Sequence, residues 1–173
     1  MNCQNCAAPM TFKPDREYFF CEYCGSYAFP IESHDGVREL GPAPDGAKCP
    51  LCGERLIRAQ LDGRHPILQC GKCQGILIER GRFSEVLERR REWADDQPDP
   101  VRPLERGQLA RHLICPRCHK PMGVHPYYGA GNVVIDTCDR CNLIWLDRSE
   151  MGRLVNAPGL DRGAAIRRQL ESE

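Results

Sequence analysis

Twelve cysteines stand in this chain of 173 residues, in six Cys-x-x-Cys pairs: Cys3/Cys6, Cys21/Cys24, Cys49/Cys52, Cys70/Cys73, Cys115/Cys118 and Cys138/Cys141. Each such turn holds two sulfurs on one side of a tight loop, close enough to share a metal ion. Two turns brought together by a hairpin supply the tetrahedral four-sulfur shell that Zn²⁺ accepts, at about 2.3 Å per bond. The gaps between successive pairs are 14, 24, 17, 41 and 19 residues. Alternating short and long gaps divide the cysteines into three quartets: Cys3, Cys6, Cys21, Cys24; Cys49, Cys52, Cys70, Cys73; and Cys115, Cys118, Cys138, Cys141. Sequential pairing is expected over an interleaved one, because the third quartet stands alone and the second repeats its pattern.

Three other uses of the thiols compete with structural zinc. Disulfides belong to oxidising compartments, yet Met1–Pro9 lacks the charged start and apolar run of a secretion signal. No stretch reaches the roughly 18 apolar residues of a membrane helix, so a reducing, cytoplasmic setting is expected. A redox Cys-x-x-Cys would normally occur once, near a βαβ pattern. Iron in a rubredoxin-like site is chemically possible, and Cys21–Gly25 and Cys49–Gly53 carry the trailing glycine of such knuckles; three sites without that fold's aromatic core favour zinc. The expected cofactor is three structural Zn²⁺ ions.

Units of roughly 25 to 40 residues bury too little apolar surface to fold unaided. Metal supplies the difference, with apparent binding energies of about 10–16 kcal/mol in zinc-finger peptides. Chelation is therefore expected to unfold each unit. The units read as repeats, since Met10, Leu56 and Met122 all sit four positions after the second cysteine of a leading pair. Between knuckles the pattern is hairpin: Arg55–Ala59 and Pro66–Gln69 flank Asp62-Gly63, and Val133–Ile135 follows the turn signal Gly129-Ala130-Gly131-Asn132. Apolar runs Ile76–Ile78 and Ile144–Leu146 follow the last cysteines of units two and three. Helical spacing comes after each, at Phe83, Val86, Leu87 and at Met151, Leu154, Val155. Asp147 and Glu150 have the spacing of a capping box.

These elements predict a small, metal-stabilised α+β protein: three zinc ribbons in series, with helices after the second and third. The expected layout is ribbon one over 1–32, a linker over 33–48 and ribbon two with its helix over 49–94. A linker over 95–112, ribbon three with its helix over 113–157, and a helical tail over 158–173 complete it.

Units two and three resemble the transcription factor IIB-type zinc-finger family, whose pattern runs Cys-Pro-x-Cys, a hairpin, then Cys-x-x-Cys-x-Gly-x-Trp-Leu-Asp-x-Gly-Glu-Leu. Unit three matches it at Cys115, Pro116, Cys118, Cys138, Cys141, Trp145, Leu146, Asp147 and Glu150, and departs at Leu143, Ser149 and Met151. Unit two keeps Gly75 and Gly81 but carries Leu77, Glu79 and Arg82 where the family has Trp, Asp and Glu. Unit one is similar to a generic zinc ribbon. The resemblance implies a fold, because ribbons host many roles.

No catalytic residue is expected. Zinc hydrolases keep an open coordination position, whereas sulfur fills every site here. His34, His65, His112, His119 and His125 are not needed as ligands, although His119 directly follows one. Formal net charge is zero, with 24 basic and 24 acidic side chains. Each four-thiolate zinc site adds about −2, a poor footprint for backbone-driven nucleic-acid binding. Arg89-Arg90-Arg91 offers a contact for phosphate or an acidic partner, but it shares its helix with Glu85, Glu88 and Glu92, which favours a salt-bridged solvated face. Trp145 is expected to pack the helix onto the ribbon. The reading is a non-catalytic protein-interaction or adaptor module. Its alternative is a transcription-associated nucleic-acid binder, contacting through the third ribbon, Tyr127, Tyr128 and the basic tail with Arg162, Arg167 and Arg168.

Overall fold

The structure is a computed structural model and describes residues 1–30, 35–43, 46–94, 100–101, 103–127 and 132–158. The expected tail helix, His34, Tyr128 and the tail arginines lie outside these residues.

Ribbon one forms a small antiparallel sheet of its own, from β1 (Thr11–Lys13), β2 (Tyr18–Phe20) and β3 (Tyr27–Ala28). A 3-10 turn at Pro14–Arg16 joins β1 to β2. Aromatic rings cover this sheet: Phe12 lies 4.8 Å from Phe19, and Phe20 lies 5.1 Å from Tyr27. All three strands remain half-buried or exposed. No residue of these strands is buried, so the sheet encloses no apolar core of its own.

Ribbons two and three join into one seven-stranded sheet. Its strands are β4 (Val37–Pro42), β5 (Leu56–Leu61), β6 (His65–Cys70), β7 (Ile76–Glu79), β8 (Gly123–Pro126), β9 (Val134–Cys138) and β10 (Leu143–Leu146). Their spatial order is β4-β5-β6-β7-β10-β9-β8. The hairpin between β5 and β6 turns at Asp62 and Gly63, with φ of 51° and 70°. This is the positive-φ pair that matches strand twist. At the sheet's centre β7 and β10 pair antiparallel, with Trp145 opposite Leu77 and Ile144 opposite Ile78. By ligand spacing Leu77 and Trp145 are equivalent residues of the two repeats, so the halves meet about an approximate two-fold axis.

Alternation along these central strands sends side chains to two separate cores. Ile76, Ile78, Ile144 and Leu146 face α1 (Arg80–Glu92) and α3 (Glu150–Val155), packing with Phe83, Val86, Leu87, Met151 and Leu154. Leu77, Leu143 and Trp145 face the other way, into a cluster with the cysteines of sites two and three. Burial on both faces explains why these strands read as unbroken apolar runs.

Two segments expected as linkers contain structure. Residues 33–48 include β4, which pairs with β5 through a register shift between Glu39 and Gly41. Gly41 and Pro42 argue against a central strand, but an edge strand tolerates both. Residues 95–112 include a short helix, α2 (Arg106–Leu109), and deliver Gln108 and Arg111 to the interior.

Candidate metal centres and the junction between them

Three quartets of sulfur assemble along this scaffold: Cys3, Cys6, Cys21, Cys24; Cys49, Cys52, Cys70, Cys73; and Cys115, Cys118, Cys138, Cys141. In each, the ligand atoms lie within 4.8 Å of one another. Nearest sulfurs stand 3.5 Å apart in the first quartet (Cys3 to Cys24, Cys6 to Cys21), 3.4 Å in the second (Cys52 to Cys70) and 3.6 Å in the third (Cys118 to Cys138). Disulfide sulfurs are bonded at about 2.05 Å, and all twelve cysteines are free. A tetrahedron with bonds of about 2.3 Å has edges of about 3.8 Å. These separations fit a four-thiolate zinc shell.

The backbone makes the knuckles alike. The residue after each second cysteine is left-handed: Ala7, Gly25, Gly53, Gln74, His119 and Asn142 all have φ between 55° and 77°. In five of the six, its N–H donates to the carbonyl of the first cysteine, as Gly53 does to Cys49 at 3.0 Å. This closes the turn and aims both sulfurs inward. Only two of the six are glycine, so the sequence hides most of this signal. Each leading knuckle also makes the same isolated bridge: Asn2 with Pro9, Lys48 with Arg55, Ile114 with Pro121.

Every quartet contains a sulfur readied as thiolate. In the second, sharing with Cys49 and Cys73 draws Cys70 down to about 2 and pushes Cys49 and Cys73 up. The Ser26 hydroxyl brings Cys24 down to about 6, and the backbone at Lys120 brings Cys118 to about 7. Four crowded thiols cannot all ionise against one another; a divalent cation removes that conflict. The chain has three structural zinc sites.

Residues 114–157 match the family model described as a transcription factor zinc-finger, the TFIIB-type zinc ribbon. The third ribbon is TFIIB-type. No curated protein and no solved structure matches the chain. The other two quartets are consistent with generic zinc ribbons.

The Trp-Leu-Asp run of the TFIIB-type ribbon performs a different task from the one expected. Trp145 is fully buried, on the sheet face away from the helices. Its ring covers Gly75 of ribbon two so closely that a Cβ there would overlap it. Its indole N–H donates to Asp147 Oδ1 at 2.9 Å. Gly75 and Leu143 are equivalent positions in the repeats, as are Leu77 and Trp145. One half of the junction is thus built from Trp and Gly, the other from two leucines. The apparent departures from the family pattern are complementary in volume.

Asp147 anchors a buried polar junction that ribbon one and the 95–112 segment complete. Its Oδ2 accepts from Arg16, from Arg111 at 2.7 Å and from Gln108 at 3.3 Å. Arg111 also donates to Asp136 at 2.5 Å, and Arg16 reaches Glu105 at 3.5 Å. Glu150 accepts from Gln108 at 2.6 Å and from the Asp147 N–H at 2.7 Å. Half of the expected capping box therefore forms, while Asp147's side chain is occupied elsewhere and Ser149 takes the cap position. Burial pushes the Glu150 carboxyl up to about 7, against the pull of Arg16. Arg148 completes the docking. Its guanidinium donates to the carbonyls of Arg16 and Glu17 and to Gln74, and lies 4.8 Å from the Phe29 ring centre. Sequence reasoning missed Arg16, Arg111 and Arg148, because no local pattern separates a buried arginine from a solvated one.

The remaining candidates find ordinary places. His119 turns its knuckle and stays exposed, and buried His65 faces Glu85 at 3.8 Å. Tyr127 packs edge-on to Phe83 at 5.4 Å. Arg90 pairs with Asp62, not with a glutamate of its own helix, and Arg91 donates to the Leu154 carbonyl at 2.7 Å.

Proposed function

We propose that this chain is a non-catalytic zinc-ribbon protein that works as a protein-interaction or adaptor module in a reducing, cytoplasmic setting. The observation that carries this reading is the closure of all three metal shells by four sulfurs each, which leaves no coordination position for water or substrate. Zinc then contributes folding energy and rigid surfaces, not chemistry. Exposed Phe12, Tyr23, Leu40 and Trp93 give those surfaces the aromatic and aliphatic anchors that protein interfaces favour. Balanced formal charge, lowered further by the thiolate sites, weakens the attraction to phosphate backbones.

One observation favours a second reading, a transcription-associated nucleic-acid binder: the match of residues 114–157 to a transcription factor zinc-finger. Tyr127, a stacking candidate, is engaged with the core instead.

Zinc-loaded protein immobilised and exposed to cell extract distinguishes the two. The expected result is saturable capture of one protein, reconstituted afterwards from purified components and abolished by chelation. Salt-sensitive retention of DNA or RNA, with no protein captured, would instead support the second reading.

A further inference from the structure

The C-terminal turn of α1 and the β5–β6 hairpin enclose an open groove of about 510 Å³, lined by Asp62, Arg64, Arg89, Arg90 and Trp93. Its parts are not equivalent. Arg90 is pinned: it donates to both oxygens of Asp62, at 2.7 and 3.1 Å, and to the Asp35 carbonyl at 2.6 Å. That pair is neutral and structural. Arg64 and Arg89 are exposed and have no carboxylate or carbonyl partner among the described residues. Trp93 is 82% exposed, an extreme value for an indole, whereas the chain's other tryptophan, Trp145, is fully buried. The groove therefore offers two unspent guanidinium forks beside one flat apolar face.

We propose that this groove docks a short acidic peptide segment of a partner protein, with carboxylates on Arg64 and Arg89 and an aromatic or proline side chain stacked on Trp93. Guanidinium forks match carboxylates bidentately, and Trp and Arg are the residues that anchor protein interfaces most often. Two forks suit two carboxylates. A nucleic-acid strand needs a longer run of cations along its phosphates, and here the third arginine is already committed to Asp62. The inference rests on the protein-interaction reading above and gives that partner a chemistry.

The contrast between the two tryptophans supplies the test. With zinc-loaded full-length protein, acrylamide quenches Trp93 while Trp145 is shielded. A panel of acidic dodecapeptides, each with a central Trp-free aromatic or proline, is titrated at low salt, beside charge-reversed lysine versions and a thymidine oligonucleotide. The expected result is saturable protection of Trp93 by acidic peptides alone. Arg64→Glu with Arg89→Glu is expected to weaken binding by roughly tenfold or more; Trp93→Ala, followed by the anisotropy of a fluorescently labelled acidic peptide because the variant lacks the quenched indole, should weaken it while leaving its salt dependence. Both variants alter exposed residues and should retain three equivalents of zinc. If no acidic peptide protects Trp93, or the arginine variant binds as well as wild type, the groove assignment is overturned. Capture of the protein partner unaffected by that variant would also overturn it, while leaving the adaptor reading standing. Protection by the oligonucleotide in place of peptides would overturn both.

Discussion

Ribbon one and the pair formed by ribbons two and three carry the same metal chemistry on different foundations. In ribbon one the quartet sits on a separate three-stranded sheet with no buried core, and Cys6 is exposed. In the fused pair, the sulfurs of both sites share an apolar cluster with Leu77, Leu143 and Trp145, backed by a second cluster under the helices. Ribbon one is held to its neighbours by Arg16, Arg148 and their polar partners, and by Tyr27, which packs against the cluster around sites two and three. The difference teaches that ligand spacing fixes a site, while the packing around it decides whether that site unfolds alone.

The sharpest way to break this comparison is to remove ligands. Cys138→Ser strips a sulfur from the shared core, and bound zinc is expected to fall from three sites to about one, because ribbons two and three lose their fold together. Cys6→Ser should release one equivalent and leave the seven-stranded sheet intact, with Trp145 emission still that of a buried indole. Metal analysis with limited proteolysis checks both. Loss of a single equivalent from the Cys138 variant would show that the fused ribbons fold independently.

A smaller effect is expected at the central pair. Gly75→Ala drives a methyl into the Trp145 ring, an overpacking that costs about 1–3 kcal/mol. Denaturant midpoints measure it, and Trp145→Leu in the same chain should recover part of the loss by making room. Unchanged stability in the single variant would mean that the ring is not seated on Gly75.

Arg148→Met is expected to leave three zinc ions bound but to loosen ribbon one. Loss of charge-assisted bonds to the Arg16 and Glu17 carbonyls costs about 2–3 kcal/mol locally. Amide exchange should quicken around Arg16 and Glu17 and stay slow in β7 and β10.

The smallest effect concerns pH. Glu150's folded value of about 7 lies above its ordinary value of 4.5, so the folded state holds the proton more firmly. Stability from this group is therefore greatest at low pH, falls as pH rises between those values, and levels off above about 7. A neutral Glu150 can be matched by Gln108, whose Oε1 is buried without a hydrogen-bond partner. Across pH 6 to 8, a range kept mild so that zinc stays bound, wild type should lose stability on going up. Glu150→Gln should flatten that slope. An equal slope in the variant would place the titration elsewhere.

Much of this molecule was written in its spacing. Cysteine intervals fixed the three quartets and their order, because ligand geometry is local to a knuckle and a hairpin. Apolar runs fixed β7, β10 and the helices behind them. The hairpin at Asp62-Gly63 followed from turn chemistry. Tertiary structure decided the rest. β4 forms because β5 offers an edge to pair with, in a segment whose own glycine and proline argue against a strand. Trp145 faces ribbon two because the repeats meet strand to strand, and nothing in either repeat alone states that they do. Arg16 and Arg111 are drawn to Asp147 from distant parts of the chain. Metal sites are specified by neighbours in sequence, whereas docking between units depends on side chains that become neighbours only after each unit has folded.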